Sequence, residues 1–175
     1  DLNSAIRNDD SAEFIKLWRQ NETNPIVYRA SDGVLLSALH FAAAAGQVDI
    51  IDFLATKLDD ILPYASNGWT PMHFGAFYNQ PEVIEYYLSS NKTIDKNPGE
   101  NSNDTFKGRS PLHYACQEGH LKIVQMMLKV LKEKNPGDAY NLTALHIAAY
   151  SGKFDIVEYL SAVIKVNNPH ASYYW

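Results

Sequence analysis

His113, Cys116 and His120 lie within eight residues of one another and could in principle hold a metal ion. Spaced by three and four, they could share one helix face, and two imidazoles with a thiolate are plausible zinc ligands. No fourth ligand is evident, and Gly119 ends a helix just before His120, which takes that imidazole off the shared face. Cys116 also fits a small buried position. His113 has a second pattern of partners: His40, His73, His113 and His146 follow one another at intervals of 33, 40 and 33 residues. Catalysis or metal binding needs one distinct constellation, whereas a histidine recurring near a fixed period belongs to a repeating structural unit.

Other chemistry is thin. Asp9-Asp10 and Asp59-Asp60 are adjacent acids, and adjacent positions face apart on a helix, so they read as solvated. Lys122, Lys129, Lys132 and Lys134 are mixed with Glu133 and read as a helix surface rather than a phosphate track. The sequence has no Gly-x-Gly-x-x-Gly, phosphate-binding loop, His-Glu-x-x-His or Gly-x-Ser-x-Gly. The expectation is a chain that is not an enzyme, with no catalytic residue, cofactor or metal.

The elements that carry the histidines are written four times: Ser37-Ala38-Leu39-His40, Thr70-Pro71-Met72-His73, Ser110-Pro111-Leu112-His113 and Thr143-Ala144-Leu145-His146. Each copy continues with a small pair (Ala42-Ala43, Gly75-Ala76, Ala115-Cys116, Ala148-Ala149). A turn residue follows at Gly46, Asn79, Gly119 or Gly152. An aliphatic pair closes the pattern at Ile50-Ile51, Val83-Ile84, Ile123-Val124 or Ile156-Val157. The chain resembles the ankyrin repeat family over nearly its whole length. The resemblance implies an all-α solenoid of stacked hairpin–helix–helix units, in which each motif histidine bonds its own Ser/Thr and the hairpin backbone.

Ser or Thr before the first helix supplies a capping oxygen, and Pro71 and Pro111 occupy the first helical position, where a missing N–H costs nothing. One unit cannot bury its own apolar face, so neighbours must stack. Prolines mark the connections at Pro25, Pro63, Pro98, Pro136 and Pro169, and the longest connection runs from Ser89 to Lys107. The expected organisation is one domain over 1–175. It comprises an N-terminal helix pair (1–24), full repeats at 25–62, 63–97, 98–135 and 136–168, and the start of a further hairpin at 169–175. That register, and the rings of Tyr173-Tyr174-Trp175, suggest a segment of a longer array.

The formal charge of −5 argues against a nucleic-acid surface. No apolar run reaches the roughly 20 residues that span a bilayer, so no membrane insertion is expected. A single cysteine excludes an internal disulfide and fits a reducing, cytoplasmic setting, the nucleus included. Sequons at Asn21, Asn91, Asn103 and Asn141 would matter only in a secreted protein.

In proteins resembling this one, partners are gripped by hairpin tips and the exposed end of the first helix. Carried over from the motif histidines, those positions include Trp69, Phe77 and Tyr78, then Phe106, Lys107, Arg109, Gln117 and Glu118, then Tyr140, Leu142 and Tyr150. Aromatic residues and arginine often dominate interface energetics. The resemblance implies a non-enzymatic module that binds a protein or peptide on its concave side, with Lys107 and Arg109 selecting an acidic or carbonyl-rich feature. Two alternatives are an architectural or spring-like stretch of a longer array in a scaffold, channel or adaptor, and a substrate-recruiting appendage of an enzyme whose catalytic domain lies outside this chain.

Overall fold

The computed structural model describes residues 10–20, 28–29, 34–90, 94–100 and 107–167. Among the described residues, helix α1 (Ser11–Gln20) precedes a short antiparallel hairpin of β1 (Tyr28–Arg29) and β2 (Leu35–Leu36), in which Tyr28 pairs with Leu36. Four helix pairs follow: α2 (Ala38–Ala45) with α3 (Val48–Ala55), α4 (Pro71–Phe77) with α5 (Pro81–Ser89), α6 (Pro111–Glu118) with α7 (Leu121–Val130), and α8 (Ala144–Tyr150) with α9 (Phe154–Asn167). First helices stack on first helices (α2, α4, α6, α8) and second helices on second, which is the packing of a solenoid.

The core is a continuous seam supplied by the repeated small and aliphatic positions. Ala42, Ala43, Ala76, Ala115, Cys116 and Ala148 are fully buried between first helices, where a larger side chain would force them apart. Ile50, Ile51, Val83, Ile84, Ile123, Val124 and Ile156 fill the space beneath the second helices. Phe14 of α1 joins the same core.

Each first helix starts at the expected Ser or Thr, and the motif histidine completes the cap from the third helical position. The backbone N–H of Thr70 donates to His73 Nδ1 at 3.0 Å, and Ser110 does the same to His113 at 3.0 Å. Gly46 and Gly119 end α2 and α6 in the left-handed region, at φ +80° and +93°.

The connections contain a device that the proline spacing only hinted at. Lys96-Asn97-Pro98-Gly99-Glu100 recurs as Lys134-Asn135-Pro136-Gly137-Asp138. Each lysine bends back over the end of the preceding second helix: Lys96 donates to the carbonyls of Tyr87 and Ser90, and Lys134 to those of Leu128 and Leu131. A cation there satisfies carbonyls that have no partner within the helix. Each asparagine caps the following first helix, Asn97 accepting from Leu112 N–H at 3.4 Å and Asn135 from Leu145 N–H at 3.1 Å. The closing acids, Glu100 and Asp138, are both buried.

Candidate functional site

The motif histidines form a ladder that links consecutive units. Because Nδ1 accepts a backbone N–H, the ring proton must sit on Nε2, which donates to the next hairpin. His40 Nε2 reaches the carbonyls of Pro63 (3.1 Å) and Trp69 (3.2 Å), His73 that of Arg109 (3.0 Å), and His113 that of Pro136 (3.0 Å). Burial holds all three well below the ordinary imidazole value, at about 4, against the opposing pull of those carbonyls. Neutral, doubly bonded imidazoles are fixed structural links.

His146 differs. Its Nδ1 accepts from Thr143 N–H at 3.3 Å, but the ring is exposed and its Nε2 meets no carbonyl among the described residues.

The carry-over positions divide by burial. Trp69 and Phe77 are half-buried in an aromatic cluster between the second and third units: Trp69 lies 4.5 Å from the Tyr114 ring, 5.1 Å from Phe74 and 5.4 Å from Phe77. The Tyr114 hydroxyl donates to the buried Glu100 carboxylate, and burial followed by that carboxylate raises the phenol far above its usual range. Arg109 and Gln117 are engaged within the array. Arg109 Nη1 donates to Gln117 Oε1 at 2.9 Å, its Nε lies 3.6 Å from the enclosed Asp138 carboxylate, and Gln117 Nε2 donates to Glu118 at 3.0 Å. Tyr78, Tyr140, Leu142 and Tyr150 are open to solvent, at 53%, 59%, 41% and 96% exposure. Lys107 is exposed, and Phe106 lies outside the described residues.

Arg109, Gln117 and Leu142 line a groove of about 750 Å³ together with His146, Ile147, Tyr150 and Ser151 of α8 and the turn after it. It falls between the hairpin tips and first helices of the third and fourth units. Asp138, Ile147 and His146 were missed as parts of this edge. The acid repeated after Asn-Pro-Gly is the signal that could have pointed to the first; Ile147 belongs to the core pattern, and His146 reads only as a structural copy.

The residues weighed as metal ligands do not assemble. His113 and His120 are each bonded to backbone carbonyls, His120 Nε2 reaching Phe77 at 3.0 Å. Burial lifts the Cys116 thiol to about 12, so it stays protonated. Among the described residues no three His, Cys, Asp or Glu side chains cluster as a metal site, and no helix is long and apolar enough to cross a membrane.

The family described as Ankyrin repeats (3 copies) matches residues 2–98 and again 93–169, so the chain belongs to the ankyrin repeat family, whose members bind other proteins. It is 30% identical over 128 residues to ankyrin repeat-containing protein C6C3.08 of Schizosaccharomyces pombe, covering 72% of this chain and 52% of that protein. It is 31% identical over 128 residues to the probable E3 ubiquitin-protein ligase XBOS33 of Oryza sativa subsp. japonica, covering 73% and 23%. Over 99 residues it is 29% identical to human ankyrin repeat and SOCS box protein 3, covering 57% and 18%. The chain thus spans about half or less of the length of these relatives.

Proposed function

We propose that the chain is a non-enzymatic recognition module that holds a protein partner along its hairpin and first-helix edge, on the concave side. The observation that carries this reading is that Tyr78, Tyr140, Leu142 and Tyr150, at hairpin positions and at the ends of first helices, are open to solvent. Exposed large apolar side chains concentrated on one surface mark interaction sites. Trp69 and Phe77 support that edge from behind, and Lys107 adds a cation at its margin.

The test is affinity capture from a cell extract with the chain and with its Tyr78→Ala/Tyr140→Ala/Tyr150→Ala variant, once circular dichroism has shown that both fold. Capture by the first and loss by the second supports the reading. Equal capture by both, or none by either, sinks it in favour of an architectural array. Trp69 is left intact because its removal would damage the inter-unit cluster.

A second reading is favoured by the names of the relatives, one a probable ubiquitin ligase and one a SOCS box protein. In it the same edge recruits a substrate for a catalytic or adaptor domain elsewhere in a longer protein. A parent reading frame that encodes such a domain would support it.

A further inference from the structure

Asn67-Gly68 is the one Asn-Gly pair in the sequence, and it lies in the turn between Ala65 and Trp69. In such a pair the backbone nitrogen of the glycine can attack the asparagine side chain, because the glycine has no Cβ to shield it. The folded turn holds both reactants. Gly68 N–H donates to the Ala65 carbonyl at 2.9 Å, and Gly68 itself is buried, at φ +83°. The Asn67 carboxamide is tied one residue beyond the nitrogen it would meet, its Oδ1 accepting from Trp69 N–H at 3.1 Å.

The turn is also joined to the units on both sides. Ala65 N–H closes it on the Trp69 carbonyl at 2.7 Å, and that carbonyl accepts His40 Nε2–H of the first unit at 3.2 Å. The Trp69 ring packs 4.5 Å from the Tyr114 ring of the third unit. We propose that Asn67 is a deamidation site that the folded turn keeps closed, and that its conversion to isoaspartate loosens both junctions of the second unit.

The chemistry needs only water and hydroxide. When the turn opens, hydroxide takes the Gly68 N–H proton and the nitrogen forms a bond to Asn67 Cγ. The Cγ–Nδ2 bond breaks, and the side-chain nitrogen takes a proton from water and leaves as ammonia. Water then opens the resulting succinimide at one of its two carbonyls. One product is aspartate, which keeps an oxygen for Trp69 N–H. The other is isoaspartate, in which the main chain runs through the former side chain and is longer by a methylene. A turn closed between Ala65 and Trp69 cannot absorb that length, so the Trp69 carbonyl and ring are displaced together.

The test incubates the whole chain at mildly alkaline pH, folded and in urea, and follows position 67 by peptide mass mapping with fragmentation that separates isoaspartate from aspartate. Conversion should be about tenfold or more slower in the folded chain, and should quicken in urea below the unfolding midpoint as the turn opens locally. The isoaspartate form, separated by chromatography, should melt below the parent chain. Asn67→Asp, which carries the same charge on a normal main chain, should melt with the parent.

Equal rates in the folded and unfolded chain would overturn the closure. Conversion in urea no faster than at Asn101-Ser102 would show that Asn67 is no distinct site. An isoaspartate form that melts together with Asn67→Asp would overturn the loosening of the junctions.

Discussion

Arg109 and Asp138 meet between the third and fourth units, with the guanidinium Nε 3.6 Å from a carboxylate whose side chain is fully enclosed. The backbone carbonyl of the same arginine receives His73 Nε2 from the second unit, so one residue ties three units together. Asp138 Oδ1 in turn accepts the N–H groups of Tyr140 and Leu142, at 2.8 and 3.0 Å, and so shapes the hairpin that presents two of the exposed edge residues.

That arrangement gives Asp138 a large structural weight. Asp138→Ala should destabilise the chain by about 2–4 kcal/mol, because it strands a mostly buried cation and two hairpin N–H groups. Asp138→Asn keeps an acceptor and should cost less. Combining Arg109→Leu with Asp138→Asn should cost less than the two singles together, since the paired charges leave as a unit. Urea unfolding of the four variants checks this; simple additivity would show that the pair is not coupled.

The histidine ladder makes stability depend on pH. Unfolded histidine titrates near 6.5 and these three near 4, so between those values the unfolded chain binds more protons. The stabilisation is fully present above pH 6.5 and is lost progressively as pH falls toward 4. Each imidazole contributes roughly 1–3 kcal/mol to that loss. Urea midpoints measured at pH 7.5, 6 and 5 should fall in that order, and a flat profile would show that the rings are not held neutral by the fold.

Two glycines with similar backbone should respond differently to alanine. Gly152, at φ +67°, has nothing within 4 Å of an added Cβ, whereas Gly108, at φ +78°, would place that carbon 2.9 Å from the Ala139 backbone nitrogen. Gly152→Ala should cost roughly 1–2 kcal/mol from the left-handed conformation alone. Gly108→Ala should cost clearly more, because the neighbouring hairpin must shift as well. Thermal melts of the two variants separate the contributions; equal losses would mean that the hairpin yields freely.

Tyr87 is fully buried, and its hydroxyl has no hydrogen-bond partner among the described residues. Removing an unsatisfied buried polar group is neutral or favourable, so Tyr87→Phe should leave stability unchanged or raise it by up to about 1 kcal/mol. A loss beyond that, seen in denaturant unfolding, would mean that the hydroxyl has a partner.

Trp69 and Tyr150 were alike in the sequence as candidate contacts, but the fold separates them. Trp69→Ala opens the inter-unit aromatic cluster and should cost roughly 2–4 kcal/mol. Tyr150→Ala, at a 96% exposed position, should change stability by less than about 0.5 kcal/mol while weakening partner binding. Paired melting and capture measurements decide this; a stability loss at Tyr150 matching that at Trp69 would contradict the assignment.

Much of this was legible in the residues because a repeat states its own constraints several times. The Ser/Thr-x-x-His caps, the small pairs between first helices and the aliphatic pairs beneath second helices each solve a local problem of capping or close packing. Such problems depend on a few neighbouring residues, and the sequence alone therefore determined the solenoid and its histidine caps, while the links of His40, His73 and His113 to the next hairpin came from the family resemblance. The edge was different. Whether Trp69, Arg109 or Tyr150 faces a partner or a neighbouring unit depends on contacts between residues far apart in the chain: Tyr114 against Trp69, and Asp138 against Arg109. Only the tertiary structure placed those pairs together, leaving Tyr78, Tyr140, Leu142 and Tyr150 in the open.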